Sequence, residues 1–504
     1  MNFILVIDAG TTAFKAVVFD QNLKIIASAN KEFKIINTAS NEYELDCDGY
    51  WLTCTAAVKE AVKKSSADAD KIGCIAVTSH TDTLFAVNEN GVPVSNGILW
   101  MDARAQAQAE RIQKHFGIER LFHMTGQTGA SAIHFGSRLA WFIENKSQLT
   151  NKVQHFLQTQ DYLIYKLSNN PIIDHSIASC SLLSGLQQAR YWLEMLNFIG
   201  IEPDKLSKIV LPGGFAGNLT PRAAEETGLS AGIPIFPAAM DATANALALG
   251  NIRAGLITEI TGAALVISAT CDAPLFDKFA RIPCFVHAIP SKYLLMPWCE
   301  TGGSALKWYR DQFFKFGQPT EAEQQSLYDV ITSEALEVPA GSDGVIVLPN
   351  FAGSGSPDFN PRAKALIYGL TISHQRKHVS RALLESIAFM LKRNLDVLTS
   401  MDIEFDSIYS AGGGSKSALW CQIKADVTNV PVIQLNEVET TAKGAAMIVI
   451  NAINHKPLDE YSFDFSTKKI FKPDQKQHIC YKKTYDIFNK LYDVLNKNFW
   501  NEHN

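Results

Sequence analysis

The sequence of 504 residues lacks the short motifs that mark several large enzyme classes. It has no Gly-x4-Gly-Lys-Ser/Thr phosphate loop, no Gly-x-Ser-x-Gly nucleophile elbow and no His-Glu-x-x-His zinc motif. The nearest glycine fingerprint, Gly412-Gly413-Gly414, has Ser417 where a dinucleotide loop needs its last glycine. These absences argue against a P-loop nucleotidase, an α/β-hydrolase, a zinc peptidase and a Rossmann dehydrogenase.

Long apolar runs, an excess of positive charge and paired cysteines are also missing. No stretch offers about 18 uninterrupted apolar residues, the length of a membrane span, and residues 1–8 lack the basic segment and apolar run of a signal peptide. The net charge of −5 gives no reason to expect nucleic acid. The nine cysteines are scattered without a Cys-x-x-Cys pair, which indicates reduced thiols. We therefore expect a cytoplasmic protein with neither a membrane nor a nucleic-acid partner.

Strand-like and helix-like segments alternate along the chain, which predicts an α/β fold. At this length the chain should form two or more domains. Two short apolar runs around Gly10 predict a β-hairpin at the start, and a strand, a Gly/Thr turn and a strand recur from Leu256. The recurrence indicates internal duplication. We therefore place a domain boundary near residue 250, which gives domains of residues 1–250 and 251–504.

The first candidate site is the turn that follows the first predicted strand. A tight turn between strands exposes backbone N–H groups, and Thr11 and Thr12 add hydroxyl donors, so the turn from Gly10 to Thr12 suits phosphate oxygens. Asp8 supplies a carboxylate for hydrated Mg²⁺, which prefers one or two carboxylates together with phosphate oxygens. Lys15 places a positive charge near a transferring phosphate. A plain hairpin tip explains the same residues equally well.

Two later patterns are also compatible with a nucleotide. Thr261-Gly262 is a second Gly/Thr turn and a candidate phosphate clamp, although an ordinary turn is the simpler interpretation. Gly412-Gly413-Gly414 follows a strand and precedes a helix that should begin near Ser417. Backbone without side chains lets a flat ring approach closely, and a helix N-terminus favours negative charge. We therefore predict that adenosine binds at these glycines and Ser417, with a bare glycine-rich loop as the alternative.

Together these patterns resemble the FGGY family of carbohydrate kinases, in the superfamily of sugar kinases, Hsp70 and actin. The resemblance extends over nearly the whole chain and includes Leu348–Pro357, Gly369–Thr371, Arg381–Phe389 and Glu439–Ala446. It implies two actin-like (ribonuclease H-like) domains around a central cleft, with the sugar mainly in the first and ATP mainly in the second. Ala238–Ala244 resembles the segment with the family's catalytic aspartate, which implies that Asp241 is the catalytic base. That role suits phosphoryl transfer, in which a carboxylate accepts the proton of the attacking hydroxyl.

The same resemblance indicates a sugar-binding stretch at Thr78–Thr83. Glycerol kinases tend to have Gln-Arg-Glu here and xylulokinases Gln-Met-His, whereas this chain has His80, Thr81 and Asp82. A carboxylate such as Asp82 accepts hydrogen bonds from two hydroxyl groups, which suits a polyol.

A second sugar-binding segment, Ile98–Arg104, resembles the family's Trp-x-Asp-x-Arg. Trp100 offers an apolar face for sugar C–H groups, and we expect Asp102 and Arg104 to pair and shape the pocket. Asp241, as the base, also contacts the substrate. Trp100, Asp102 and Arg104 each have a purely structural interpretation of about equal weight.

Two departures from the family pattern bear on function. The second phosphate turn is Thr261-Gly262-Ala263 where many members have Gly-Thr-Ser or Gly-Thr-Gly, so the hydroxyl is displaced. The sugar stretch matches neither the glycerol nor the xylulose pattern. Asp82 and Glu439-Thr440-Thr441 are loosely similar to the deoxyketose kinases for fuculose and rhamnulose.

The sequence therefore predicts ATP-dependent phosphorylation of a hydroxyl on a small ketose or polyol, most strongly a pentulose such as xylulose, with Mg²⁺ as cofactor. Deoxyketoses, glycerol and erythritol are alternative substrates. The rival classes are a non-catalytic regulator that binds ATP and sugar, and an actin- or Hsp70-like ATPase with protein partners. Asp8 and Asp241 argue against the regulator, and the polar stretch from His80 to Asp82 argues against the ATPase. The sequence leaves a homodimer open.

Overall fold

Strands and helices alternate through the computed structural model, which describes residues 3–65, 69–314, 321–435, 439–455, 458 and 467–500. The strands in these residues are β1 (Phe3–Ala9), β2 (Ala13–Asp20), β3 (Ile25–Glu32), β4 (Ile35–Ala39), β5 (Glu42–Leu45), β6 (Ile72–Ser79), β7 (Phe85–Val87), β8 (Gly97–Ile98), β9 (His155–Leu157), β10 (Ile172–Asp174), β11 (Lys208–Val210), β12 (Gly217–Asn218), β13 (Pro234–Met240), β14 (Leu256–Thr261), β15 (Leu265–Cys271), β16 (Cys284–Val286), β17 (Tyr293–Leu295), β18 (Trp298–Cys299), β19 (Ile346–Leu348), β20 (Leu366–Tyr368), β21 (Ser407–Ala411), β22 (Val432–Leu435) and β23 (Thr467–Phe471). The α-helices are α1 (Cys47–Ser65), α2 (Gln106–Phe116), α3 (Ile118–Thr125), α4 (Phe135–Asn145), α5 (Ser147–Thr150), α6 (Thr159–Ser168), α7 (His175–Ala178), α8 (Leu193–Ile199), α9 (Pro221–Thr227), α10 (Asp241–Ala248), α11 (Gly303–Phe313), α12 (Glu321–Leu336), α13 (Arg376–Ser400), α14 (Ala418–Thr428), α15 (Thr440–Asn454) and α16 (Gln475–Asn498).

The first central sheet has six strands in the order β12-β13-β6-β1-β2-β3. β2 runs antiparallel to β1, whereas β6 is parallel to β1 and β13 is parallel to β6. The run from Ile4 to Ile7 in β1 is buried throughout, as expected of a central strand covered on both faces. The N–H of Gly10 donates to the carbonyl of Ala13 over 3.0 Å and closes the turn between β1 and β2. The predicted hairpin is confirmed.

The second large sheet repeats this arrangement. Its strands follow the order β16-β17-β15-β14-β21-β22-β23, with β18 beside β15. β15 is antiparallel to β14, β21 is parallel to β14, and β22 is parallel to β21. The strand that opens each half is thus flanked by one antiparallel neighbour and one parallel neighbour. The internal duplication and the two α/β domains predicted from the sequence are confirmed.

One helix of the second half packs against the first half. α15 contacts α10 and the strands β1, β6 and β13, and Met447 and Val449 share a buried cluster with Val6. At the crossing of α10 and α15, a Cβ atom on Gly444 would lie 1.8 Å from the carbonyl oxygen of Ala244. A glycine is therefore required for the two helices to approach this closely.

In the described part of the chain, no helix is both long enough and apolar enough to cross a membrane.

Candidate active site

The carboxyl ends of three neighbouring parallel strands meet at one edge of the first sheet. Asp8 is the last residue but one of β1, residues 80–82 follow β6, and Asp241 follows β13. In the register of the sheet Asp8 lies opposite Thr78, and Met240 lies opposite Ser79. The structure thus brings together the predicted metal-binding carboxylate, the predicted sugar stretch and the predicted base.

Asp241 is a half-buried carboxylate at the first residue of α10. One of its oxygens accepts the N–H of Ala242 over 2.6 Å. Among the described residues, no hydrogen bond to its other oxygen is found. Burial raises the pKa of Asp241 to about 6, so the carboxylate is mostly ionised at pH 7 and able to accept a proton. A pKa near the working pH is what a general base requires.

Asp8 lies in a site with an excess of negative charge. Burial and the neighbouring charge of Asp241 raise the pKa of Asp8 to about 7, while the ammonium of Lys15 acts in the opposite direction and Glu439 adds to the increase. Within the described residues, no group donates a hydrogen bond to the carboxylate of Asp8. A bound cation would offset this charge.

The residues around Asp8 fit a magnesium ion. No three His, Cys, Asp or Glu side chains form a metal-binding group in the part of the chain that the structure describes. Mg²⁺ does not need such a cage, because phosphate oxygens and waters complete a shell begun by one or two carboxylates. Asp8, placed beside a phosphate-type turn, provides what such an ion takes from the protein.

Lys15 connects this edge to the second domain. It lies opposite Asp8 in the register of β1 and β2, and its ammonium donates to a carboxylate oxygen of Glu439 over 2.9 Å. Glu439 immediately precedes α15, so the ion pair joins the two domains. Because Lys15 already has a partner, the predicted contact with phosphate would require an exchange of partners.

The ring of His80 holds the end of β6 against the end of β1. Its Nδ1 lies 2.9 Å from the carbonyl oxygen of Ala9, and its Nε2 lies 2.9 Å from the hydroxyls of both Thr83 and Thr159. Burial lowers the pKa of His80 to about 4, so the ring is neutral at pH 7. Both ring nitrogens are engaged within the protein, and the predicted sugar contact would have to displace one of these partners.

Asp82 is buried with a backbone φ of +69°. Its carboxylate accepts the hydroxyl of Thr81 over 2.7 Å and the N–H of Phe135, at the start of α4, over 2.8 Å. Burial raises the pKa of Asp82 to about 6, although the guanidinium of Arg138 opposes the increase. Each carboxylate oxygen accepts more than one hydrogen bond, so Asp82 retains the capacity to bind a hydroxyl.

The predicted pair of Asp102 and Arg104 is formed, with Nε of Arg104 donating to Asp102 over 2.9 Å. Asp102 also accepts the N–H of Tyr43 over 2.7 Å, so this pair fixes the loop that contains Trp100. Trp100 is half-buried, and its indole N–H donates to the hydroxyl of Thr11 over 3.1 Å. Of the three residues, Trp100 is therefore the one that contacts the predicted phosphate turn, where Thr12 is exposed.

The side chain of Thr261 points into the second domain. Thr261 is only 1% exposed, and its hydroxyl donates to Glu259 and accepts from Lys424, each over 2.8 Å. Glu259 and Lys424 form a fully buried ion pair at 2.6 Å. The exposed surface of this turn is the backbone of Gly262 and Ala263. Any contribution of Thr261 to phosphate binding is thereby restricted to its backbone.

The predicted adenosine loop lies against this turn. β21, which ends before Gly412, is the parallel neighbour of β14, which ends at Thr261. A Cβ atom on Gly412 would lie 3.0 Å from the carbonyl oxygen of Thr261, and one on Gly414 would lie 2.6 Å from the Cβ of Thr261. The glycines therefore allow the two loops to touch, and Gly412 and Gly413 are exposed. Ser417 is the N-cap of α14, which confirms the predicted helix start and engages its hydroxyl.

Sequence reasoning missed a third glycine segment in the second domain. The N–H of Gly303, the first residue of α11, donates to the carbonyl of Gly262 over 2.8 Å, and a Cβ atom on Gly303 would lie 2.6 Å from that oxygen. The N-terminus of α11 therefore adjoins the exposed turn, where it favours negative charge. The signal in the sequence was Gly302-Gly303-Ser304 at the opening of an amphipathic helix.

Two duplicated α/β domains, with carboxylates at the edge of one sheet and glycine turns at the edge of the other, are the architecture of the actin-like superfamily of sugar kinases. Residues 3–248 match the N-terminal domain, and residues 262–452 the C-terminal domain, of the FGGY family of carbohydrate kinases. The chain belongs to this family and is a carbohydrate kinase.

Several characterised proteins are similar over nearly the full length. A gluconokinase of Bacillus subtilis is 28% identical over 458 residues, covering 90% of this chain and 88% of the relative. A xylulose kinase of Staphylococcus epidermidis is 25% identical over 494 residues, covering 96% of this chain and 95% of the relative. The crystal structure of a gluconate kinase from Lactobacillus acidophilus superposes with a TM-score of 0.90 at 23% identity, covering 99% of both chains. That structure confirms the two-domain fold.

Proposed function

We propose that the protein transfers the γ-phosphate of ATP to a hydroxyl of a small uncharged ketose or polyol, with a pentulose such as xylulose as the first candidate. The observation that supports this most directly is the ionised, half-buried carboxylate of Asp241, with one oxygen free of described donors, beside Asp8. The xylulose kinase relative supports the choice of a pentulose. The sugar lies mainly in residues 1–250 and ATP mainly in residues 251–504.

In this mechanism Asp241 accepts the proton of the attacking hydroxyl as the oxygen approaches the γ-phosphate. The turn from Gly10 to Thr12 and the backbone of Gly262 hold the phosphates, and Asp8 would hold Mg²⁺. When bound, Mg²⁺ neutralises charge on the phosphate oxygens. Adenosine lies against Gly412–Gly414. Closure of the domains excludes water, which competes with the sugar for the phosphoryl group.

The charge around the acceptor site favours a neutral substrate over a sugar acid. Asp8 lies at the end of β1, Asp82 follows β6 and Asp241 follows β13, so all three carboxylates belong to the same edge of the sheet. The nearby cation Arg138 donates instead to backbone carbonyls, that of Asp82 among them. A carboxylate on the substrate would meet repulsion from Asp8 and Asp241, and the nearby cations Arg138 and Lys15 are already engaged with backbone carbonyls and with Glu439. Xylulose has no carboxylate and gluconate has one, so this repulsion favours xylulose over gluconate, the substrate named for the other relative.

The experiment that tests the proposal is ADP release with Mg-ATP against xylulose, ribulose, fuculose, rhamnulose, erythritol, glycerol and gluconate. We expect strong stimulation by a pentulose. Stimulation by gluconate alone would overturn the argument from charge. No stimulation by any sugar, with ATP binding demonstrated separately, would favour the regulator.

The base is tested by Asp241→Asn, which keeps the shape and removes the proton acceptor. We expect kcat to fall by about 100- to 10,000-fold, while the affinity for ATP is retained. Asp486→Asn, an exposed carboxylate on α16, is the matched control and should leave kcat unchanged. Retained turnover in Asp241→Asn would refute the assignment.

We also propose a cytoplasmic location, which the nine free cysteines support, eight of them buried. The sequence leaves a homodimer open, and light scattering on the purified protein tests it.

A further inference from the structure

The backbone immediately before Asp241 has an unusual conformation. Ala239 has a φ of +68°, a region that residues with a Cβ atom rarely adopt. The pairing of β13 with β6 shifts register between Pro237 and Met240, so the strand is distorted at its last residues. Such a conformation persists where surrounding contacts enforce it, and it is commonly found near functional groups. Here it sets the direction in which the chain enters α10 and presents Asp241.

Three side chains enforce this bend. The N–H of Ala239 donates to Oδ2 of Asp174 over 2.9 Å, and its carbonyl accepts the hydroxyl of Thr78 over 2.9 Å. The N–H of Met240 donates to the hydroxyl oxygen of Ser176 over 2.8 Å. The two residues that precede the base, Ala239 and Met240, are therefore both held by directed hydrogen bonds.

Asp174 is the centre of this network. It is fully buried, and its Oδ1 accepts both the N–H of Ser176 over 2.8 Å and the hydroxyl of Ser176 over 2.5 Å. Its Oδ2, which holds Ala239, also accepts the side-chain N–H of Gln160 over 2.7 Å. Among the residues described, no cation pairs with Asp174, and burial raises its pKa while these donors oppose the increase. A buried carboxylate without a cation is costly, and capping α7 requires only Oδ1.

We propose that Asp174 is a positioning residue for the phosphoryl transfer. Its Oδ2, together with the hydroxyl of Ser176, fixes the left-handed bend at Ala239 and so aims the carboxylate of Asp241 at the acceptor hydroxyl. This inference rests on the proposed role of Asp241 as the base. In this inference Asp174 does not act on the residues proposed to bind ATP, so the affinity for ATP should not depend on Asp174.

The test is Asp174→Asn in the full-length protein. The amide has an NH₂ group in place of one carboxylate oxygen. Because that group donates, it cannot accept the hydrogen bonds that either Oδ1 or Oδ2 of Asp174 now accepts. We expect kcat to fall by up to about 100-fold, as for a base displaced by about 1 Å, with KM for ATP unchanged. The number of ADP molecules released per sugar phosphate formed should rise, because hydrolysis of ATP by water also releases ADP. That hydrolysis does not depend on the direction of the Asp241 carboxylate. A loss of folded protein alone would lower both products equally and leave that ratio unchanged.

Asp161→Asn is the matched control. Asp161 is also buried, and it accepts the hydroxyl of Ser207 over 2.5 Å and the N–H of Gln158 over 2.8 Å, with no bond to β13. Burial raises its pKa to about 7. A change in the ADP ratio in Asp174→Asn that is absent in Asp161→Asn supports the proposal. An equal change in both variants, or the wild-type ratio in Asp174→Asn, overturns it.

Ser176→Ala decides the question if Asp174→Asn does not fold. It removes the hydroxyl that accepts the N–H of Met240, and it leaves the hydrogen bond from the N–H of Ala239 to the carboxylate of Asp174. A raised ADP ratio supports the proposal, and the wild-type ratio overturns it. Asp241→Asn is measured alongside, because activity in that variant would remove the base itself and this inference with it. Inactive Asp241→Asn with normal Asp174→Asn would overturn the positioning role alone.

Discussion

The contact between α10 and α15 predicts that a change in the second domain will disturb the proposed base in the first domain. In Gly444→Ala the new Cβ atom would lie 1.8 Å from the carbonyl oxygen of Ala244, whereas such atoms are essentially never closer than 3.0 Å. The helices must therefore separate by about 3.0 − 1.8 = 1.2 Å. Ala244 follows Asp241 by one turn of the same helix. A displacement of this size should lower kcat about 100-fold and cost about 1–3 kcal/mol of stability.

Two measurements on Gly444→Ala check this reasoning: kcat for the preferred sugar and the unfolding midpoint in urea. Gly49→Ala in α1 is the matched control, because its Cβ atom would meet the carboxylate of Asp46, a flexible side chain, at 2.7 Å. That variant should keep both values. A folded Gly444→Ala with the wild-type kcat would show that α10 absorbs the clash without moving Asp241, and the argument would be wrong.

Three further predictions concern ionised groups. Because the pKa of Asp241 is raised to about 6 and that of Asp8 to about 7, kcat/KM should be constant only above about pH 7 and decline as the pH falls through the two values; a decline centred near pH 4 would contradict the burial of the two carboxylates. Lys424→Met strands the buried charge of Glu259 and should cost about 3–5 kcal/mol in urea unfolding; a loss under about 1 kcal/mol would contradict the pairing. Glu439→Gln breaks a partly exposed pair with Lys15 and should change stability by less than about 1 kcal/mol, measured in the same way.

Much of the site could be predicted because it follows strand ends. Asp8, Thr261 and Gly412 each stand at or next to the carboxyl end of a predicted strand, and parallel strands bring such ends to one edge. Asp241 also follows a strand, but its position alone did not identify it as the base, since an aspartate that opens a helix is common. Its assignment came from family resemblance, and the structure adds the register that places it beside Asp8.

The supporting contacts could not be predicted, because they join residues far apart in the sequence. Asp174 and Ala239 are separated by 65 positions, and Lys15 and Glu439 by 424. Nothing local in the sequence distinguishes a carboxylate that caps a helix from one that also holds a distant strand. The direction of the Thr261 hydroxyl could not be predicted either, since it is set by hydrogen bonds to the buried side chains of Glu259 and Lys424.

The repeated strand order has a consequence for how specificity can change. The same arrangement of central strands occurs twice in the molecule, but the segments that follow the strand ends differ: those of the first copy include Asp82 and Asp241, and those of the second include Gly262 and Gly412–Gly414. Ligand choice is therefore separable from the framework that supports it. Exchanging residues 80–100, which include β7 and β8, should redirect the enzyme among sugars while the second domain stays as it is.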